Sequence, residues 1–157
     1  MYHKILLAID SEDDGEGKRS LEEGVKLLSE DGELLLGTVC NPGGAGFFPH
    51  VTPEKPEERE KEARENLRLL VRKYLPMAMQ DGVTLHVAAG KPAEKLVALA
   101  AKTCVDLIIL VSKGAGSSRW PMRRATIEYV VTNAPCSVLV LPTLMKATDE
   151  TSESDER

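Results

Sequence analysis

Two loops hold most of the residue types that handle anions or cations. Ser112-Lys-Gly-Ala-Gly-Ser-Ser118 follows an apolar run and leads into three cations, Arg119, Arg123 and Arg124. Glycine lets backbone N–H groups approach an anion, a helix beginning just beyond adds positive potential, and arginine pairs bidentately with phosphate oxygens. The plainer alternative has these arginines solvated, or paired with the second loop. That loop, Asp10-Ser-Glu-Asp-Asp-Gly-Glu16, has five acids in seven residues. Asp10, Glu12, Asp14 and Gly15 imitate the alternating ligands of a calcium loop. The twelfth position, however, is Leu21 instead of a bidentate glutamate, and a strand precedes the loop where a helix is required. A solvated acidic loop and helix start is the better reading.

Other chemistries lack their residues. Cys40, Cys104 and Cys136 are scattered without a C-x-x-C pair, so they read as buried small hydrophobes. His3, His50 and His86 are isolated, and no metal site can be drawn from them. No nucleophile–base pair or carboxylate dyad argues for a catalytic residue. No G-x-G-x-x-G follows the first strand and no G-x-x-x-x-G-K-[ST] occurs, which excludes dinucleotide-binding and P-loop sites. A phosphoacceptor receiver needs an aspartate after the third strand, where this chain has Ala88-Ala89-Gly90.

The elements that must position these loops alternate. Five strands are expected at Ile5–Ile9, Leu34–Val39, Val83–Val87, Asp106–Val111 and Ser137–Leu141. Four helices lie between them: Glu16 to Glu30, stopped by Asp31-Gly32; a charged helix from Pro56 to Asp81-Gly82, kinked or shortened at Pro76; Pro92 to Thr103; and Met122 to Thr132. Alternation of this kind means a parallel sheet covered by helices on both faces, an α/β fold. Strands one and four are apolar throughout, as central strands must be. Strand three alternates Thr84 and His86 with Val83, Leu85 and Val87, which suits an edge. Strand five is unbroken from Val138 to Leu141 although it comes last, and an exposed edge of that kind needs a cover.

With 157 residues, 42% of them apolar and 29% charged, the chain fits one domain. No apolar run is long enough to span a bilayer, and no signal-peptide layout opens the chain, so a cytoplasmic protein without a membrane partner is expected. The net charge is −5, and the segment from Lys146 to Arg157 holds five acids against two bases. An acidic protein without a basic stripe lacks the footprint for nucleic acid. Residues 143–157 read as a disordered acidic tail on a domain spanning residues 1–142. The long Gly- and Pro-rich loop from Asn41 to Lys55 carries both phenylalanines, Phe47 and Phe48, as a lid, a contact surface, or rings folded back on the domain.

Several segments together resemble the universal stress proteins. Asp106-Leu-Ile-Ile-Leu-Val-Ser-Lys-Gly114 is similar to that family's fourth strand and glycine loop. Ile127-Glu-Tyr-Val-Val and Asn133-Ala-Pro-Cys-Ser-Val-Leu-Val-Leu141 are similar to its last helix and strand. Gly90-Lys-Pro-Ala-Glu and Ile5 to Asp10 extend the likeness, which runs from Met1 to about Pro142. The resemblance implies a single open five-stranded parallel sheet of order 3-2-1-4-5. It also implies a homodimer joined through the last strand, at Val138, Leu139, Val140 and Leu141.

Many members of the family bind ATP through G-x2-G-x9-G-[ST]. Here Gly114 matches the second glycine, Val111 replaces the first, and Arg124-Ala125 replaces the final Gly-[ST]. Asp10 and Val39 match the positions that hold ribose and adenine. The resemblance makes Asp10, Val39 and Gly114 nucleotide-binding candidates, and the loop itself adds the donors of Gly116 and Ser117 and the phosphate-pairing Arg124, for ATP or AMP with Mg2+. The departures predict an impaired site: Val111 puts a side chain where backbone should approach and would be strained at φ > 0, and Ala125 lacks a hydroxyl donor. The expected function is a homodimeric stress-response module that binds rather than catalyses. An ATP/AMP sensor using the Gly114–Arg124 loop and a weak ATPase are the alternatives.

Overall fold

Apolar alternation decides which side of each strand is buried, and the chain resolves it into two layers of helix around one sheet. A computed structural model describes residues 1–40, 55–112 and 122–142. The expectations for the Phe47–Phe48 loop, the glycine loop and the acidic tail fall outside them. In order come β1 (Tyr2–Ala8), α1 (Asp14–Leu27), β2 (Leu28–Cys40), α2 (Pro56–Tyr74), α3 (Met77–Gln80), β3 (Thr84–Ala89), α4 (Pro92–Thr103), β4 (Leu107–Val111), α5 (Met122–Asn133) and β5 (Ser137–Leu141). The strands form one parallel sheet of order β3-β2-β1-β4-β5, with β1 and β4 inside and β3 at one edge as their compositions predict, and β5 at the other edge as the resemblance implies.

Ile5, Leu7 and Ile9 of the first strand region pack with Leu21 of α1 and Leu67, Leu70 and Val71 of α2 on one face. Leu6 and Ala8 pack with Leu96 and Ala100 of α4 and Val130 of α5 on the other. Ile5, Leu6, Leu7, Ile108 and Ile109 are fully buried. Side chains of this size contribute about 1.5–3 kcal/mol each when removed from water, so the two central strands anchor the domain. The β1 start is also tied to β4: the Asp106 carboxylate accepts the His3 and Lys4 N–H groups at 3.0 and 2.8 Å, and the Asp106 N–H returns to the Lys4 carbonyl at 2.9 Å.

Most boundaries shift from the expectation, β1 beginning at Tyr2 instead of Ile5 and β2 at Leu28 instead of Leu34, and three other shifts stand out. α1 ends at Leu27, not at Asp31-Gly32, because Leu28 is already extended and pairs with Tyr2. The β1–β2 register then slips, with Lys4 opposite Glu33. A Cβ on Gly32 would lie 2.5 Å from Leu28 Cδ1 and 2.9 Å from the His3 carbonyl. Glycine is needed there for close approach inside an irregular strand, not to cap a helix. The charged helix stops at Tyr74, since Leu75 precedes Pro76 and takes the extended conformation that proline imposes on its neighbour; α3 is a separate fifth helix. β3 runs on to Ala89 instead of ending at Val87.

His86 sits half-buried on β3, and its Nε2 is buried without a hydrogen-bond partner among the described residues. Burial pushes its pKa down, and the positive charges of Arg64 and Lys102 add to this. The unfolded chain therefore takes up a proton near pH 6.5 that the folded chain resists, so stability declines as pH falls below that value. Thermal unfolding between pH 7.5 and 5 should show this loss, and His86→Gln should flatten that part of the profile. An unchanged slope in the variant would assign the loss to other groups.

Candidate functional site

The strand order creates a crevice. From β1 the chain turns to α1 on one face, whereas α5, which follows β4, packs with α4 on the other. Adjacent strands whose connections part in this way leave a cleft outside their carboxyl ends, where ligands of open α/β sheets bind. Asp10 follows β1, Val39 lies near the end of β2 and Ser112 follows β4, so the topology brings these three to the same edge. The Ile9 N–H donates to the Gly37 carbonyl at 2.9 Å and the Ser112 N–H to the Leu141 carbonyl at 2.8 Å, holding both rims in register with their neighbours.

The β1–α1 rim is built from carboxylates that bind their own backbone. Glu16, buried in the first turn of α1, accepts the Asp10 N–H at 2.6 Å. Asp13 caps the helix by accepting the Glu16 N–H at 3.0 Å, and its carbonyl takes the Gly17 N–H at 3.0 Å. The Asp10 carboxylate accepts the Glu12 N–H, and the Asp10 carbonyl accepts the Asp13 N–H, each at 3.0 Å. Asp14 takes the Tyr74 hydroxyl and, at 3.2 Å, the Lys73 ammonium, which together hold its carboxyl below the usual range, the hydroxyl contributing most. The N–H groups of Asp10, Glu12, Asp13 and Glu16 around this helix start are thus already engaged, and the surrounding charge is negative.

The β4–α5 rim carries the sequence motif. Gly114, Gly116 and Ser117 lie outside the described residues. Arg124, in the first turn of α5, is 91% exposed at its side chain and its Nε lies 3.7 Å from Glu128 Oε1 one turn on. An exposed pair of this kind is worth little, so the guanidinium is cheaply released to an anion. Val111 corrects the steric expectation. It is only 3% exposed and packs with Ile9, Ile109 and Leu141 in the α1–α2 face of the core. Cys104 is the one non-glycine residue with positive φ among the described residues, so Val111 carries no such strain.

At the end of β2, Cys40 is half-buried, and burial followed by the nearby Glu60 charge pushes its thiol pKa up, away from the reactive thiolate. Val39 is half-buried against the α4 layer and offers apolar surface near the end of β2, the same sheet edge as Asp10. A hydroxyl-bearing ring system is what such a pair can hold. Glu16 is the residue that a linear reading undervalues: an acid in a first turn looks like a response to helix polarity, and its reach back to Asp10 is visible only in three dimensions.

At the far edge, Val138 and Val140 of β5 turn toward the α4–α5 layer, whereas Leu139 and Leu141 turn toward the α1–α2 layer. Among the described residues no strand pairs with the outer side of β5. The four expected interface residues therefore lie on a free edge.

The family described as "Universal stress protein family" matches residues 1–142 of the chain. A universal stress protein of Thermus aquaticus is 26% identical over 145 residues, covering 90% of this chain and 99% of the relative. Among solved structures, a universal stress protein family protein from Arabidopsis thaliana with AMP bound has a TM-score of 0.58 at 16% identity, covering 93% of this chain and 95% of that one. A universal stress protein in complex with cAMP has a TM-score of 0.56 at 15% identity, covering 91% and 98%. At such identities the structural likeness is one of fold.

Proposed function

Because the chain belongs to the universal stress protein family, we propose that it is a homodimeric regulatory module of the cytoplasm with a low-affinity adenine-nucleotide crevice. The observation that carries the reading is the occupied β1–α1 rim. The Asp10 and Glu16 N–H groups there serve Glu16 and Asp13 on an acidic rim, which turns a phosphate chain toward the β4–α5 side. Asp10 and Val39 suit a ribose and an adenine ring, and two proteins of this fold hold AMP and cAMP. The triphosphate is disfavoured against these, because its extra charge meets the acidic rim. The reading places function in binding, with any hydrolysis of ATP slow and incidental. A reducing compartment suits the three free cysteines, and among the described residues no helix is long and apolar enough to cross a membrane.

Calorimetric titration tests this, with Trp120, the one tryptophan, as a second readout between Gly114 and Arg124 in sequence. ATP should bind near the millimolar range, about −4 kcal/mol, and AMP more tightly. Restoring the motif with Arg124→Gly and Ala125→Ser should tighten ATP binding at least about tenfold, which takes ~1.4 kcal/mol. Micromolar binding of ATP by the wild type, lost in Arg124→Ala, would favour the alternative of an ATP sensor gripping phosphate through that arginine. Turnover of ATP at a steady rate in the same samples would favour the ATPase.

A further inference from the structure

The sheet has a second edge, and it is treated differently from the first. Gly90 directs its N–H to the Cys40 carbonyl of β2 at 3.1 Å. Alternation then turns the backbone groups of Thr84, His86 and Ala88 inward and those of Leu85, Val87 and Ala89 outward, away from the sheet. Among the described residues no strand pairs with this outer side. One of the outward carbonyls is nonetheless taken: Arg64 Nη1, from α2, donates to the Leu85 oxygen at 3.2 Å across the strand edge.

The strand itself invites pairing. Thr84-Leu-His-Val-Ala-Ala89 has no proline and no Asp, Glu, Lys or Arg. A six-residue, uncharged run with two apolar side chains half-buried against the core, Leu85 and Val87, is the composition that recruits another strand when left open. A second copy of the same run brings no like charges against it, so self-pairing is electrically unopposed. Natural edges are guarded by a charge placed on them, and Arg64 supplies a charge to this one from the neighbouring helix.

We propose that the outer edge of β3 is a second self-association surface, fitted to the same strand of another copy of this chain, and that Arg64 keeps it closed. Its consequence rests on the dimer reading above. A pair joined through β5 is closed by a two-fold axis, but each pair still carries two β3 edges. Joining those as well would generate an open-ended string instead of a closed assembly. Arg64 is therefore the residue that stops assembly at the pair.

Sedimentation velocity on the full chain at tens of micromolar tests this, comparing wild type, Arg64→Ala, and Arg64→Ala combined with Thr84→Lys. The weight-average mass of Arg64→Ala should be at least about twice that of wild type. Thr84 is the exposed first residue of the strand, and lysine there returns a charge to the edge, so the combined variant should revert to the wild-type mass. A mass for Arg64→Ala equal to wild type overturns the proposal. So does association that Thr84→Lys leaves unchanged, because misfolding would not be cured by a charge on the edge. A monomeric wild type would instead defeat the β5 dimer, while the comparison of Arg64→Ala with wild type would still decide the role of β3.

Discussion

Replacing Val111 by glycine is expected to lower the unfolding free energy by about 3 kcal/mol, without improving nucleotide affinity. The side chain is 3% exposed, and its register partner Leu141 and same-face neighbours Ile9 and Ile109 close around it. Truncation removes the transfer free energy of the side chain, leaves a cavity at the rim of the core, and adds the backbone entropy of glycine to the unfolded state. In urea the midpoint should fall by on the order of 1–2 M, with an unchanged slope of about 2 kcal/mol/M. Added to the Arg124→Gly, Ala125→Ser pair, the glycine should contribute no further affinity for ATP. A loss below ~1 kcal/mol would mean that the surrounding core collapses to fill the space. A tenfold gain in affinity from Val111→Gly alone would show that backbone approach at this position limits binding after all.

The double substitution Val138→Lys and Val140→Lys is expected to halve the mass of the particle in solution. Both side chains are half-buried against the α4–α5 layer, so the lysine stems can lie along that layer with their ammonium groups at the free edge. Two copies of β5 related by a two-fold axis would then bring four such charges together along one hydrogen-bonded seam. Like charges directly opposed across strands are destabilising, and the desolvation required by a closed interface adds to the cost. Sedimentation at tens of micromolar should show a monomer in place of a dimer, and circular dichroism should retain the helical signal. Partial burial of the lysines should also cost the fold roughly 1–2 kcal/mol. A variant that keeps the wild-type mass would place the contact on another face of the domain.

Strand order is legible in the sequence because the two central strands must be apolar on both sides, as Ile5–Ile9 and Leu107–Val111 are. The two edge strands are legible for opposite reasons: β3 alternates, whereas β5 only makes sense if something covers it. Asp31-Gly32 is ambiguous, since the same dipeptide ends helices and relieves crowding in irregular strands, and only the slip opposite His3 distinguishes them. The orientation of Val111 is harder still. A motif aligns a residue with a glycine, but the face that its side chain takes follows from alternation with Leu107 and Ile109 into the α1–α2 core. At the site, Asp10 and Val39 can be placed from the ends of their strands. The engagement of the rim cannot, because Glu16 reaches Asp10 through a loop whose course depends on Asp13 capping α1.

The seating of β1 between β2 and β4 also has a temporal side. The Asp106 carboxylate that fastens the His3 and Lys4 N–H groups comes 103 and 102 residues later in the chain. During synthesis on the ribosome, at about 5–20 residues per second, the first strand emerges roughly 5–20 seconds before the residues that will cover its second side. Through that interval β2 can protect one side of Ile5–Ile9, while the other presents an apolar strand to whatever the cell offers. The nascent protein is thus vulnerable throughout that interval, and the arrival of Leu107–Val111 ends the exposure.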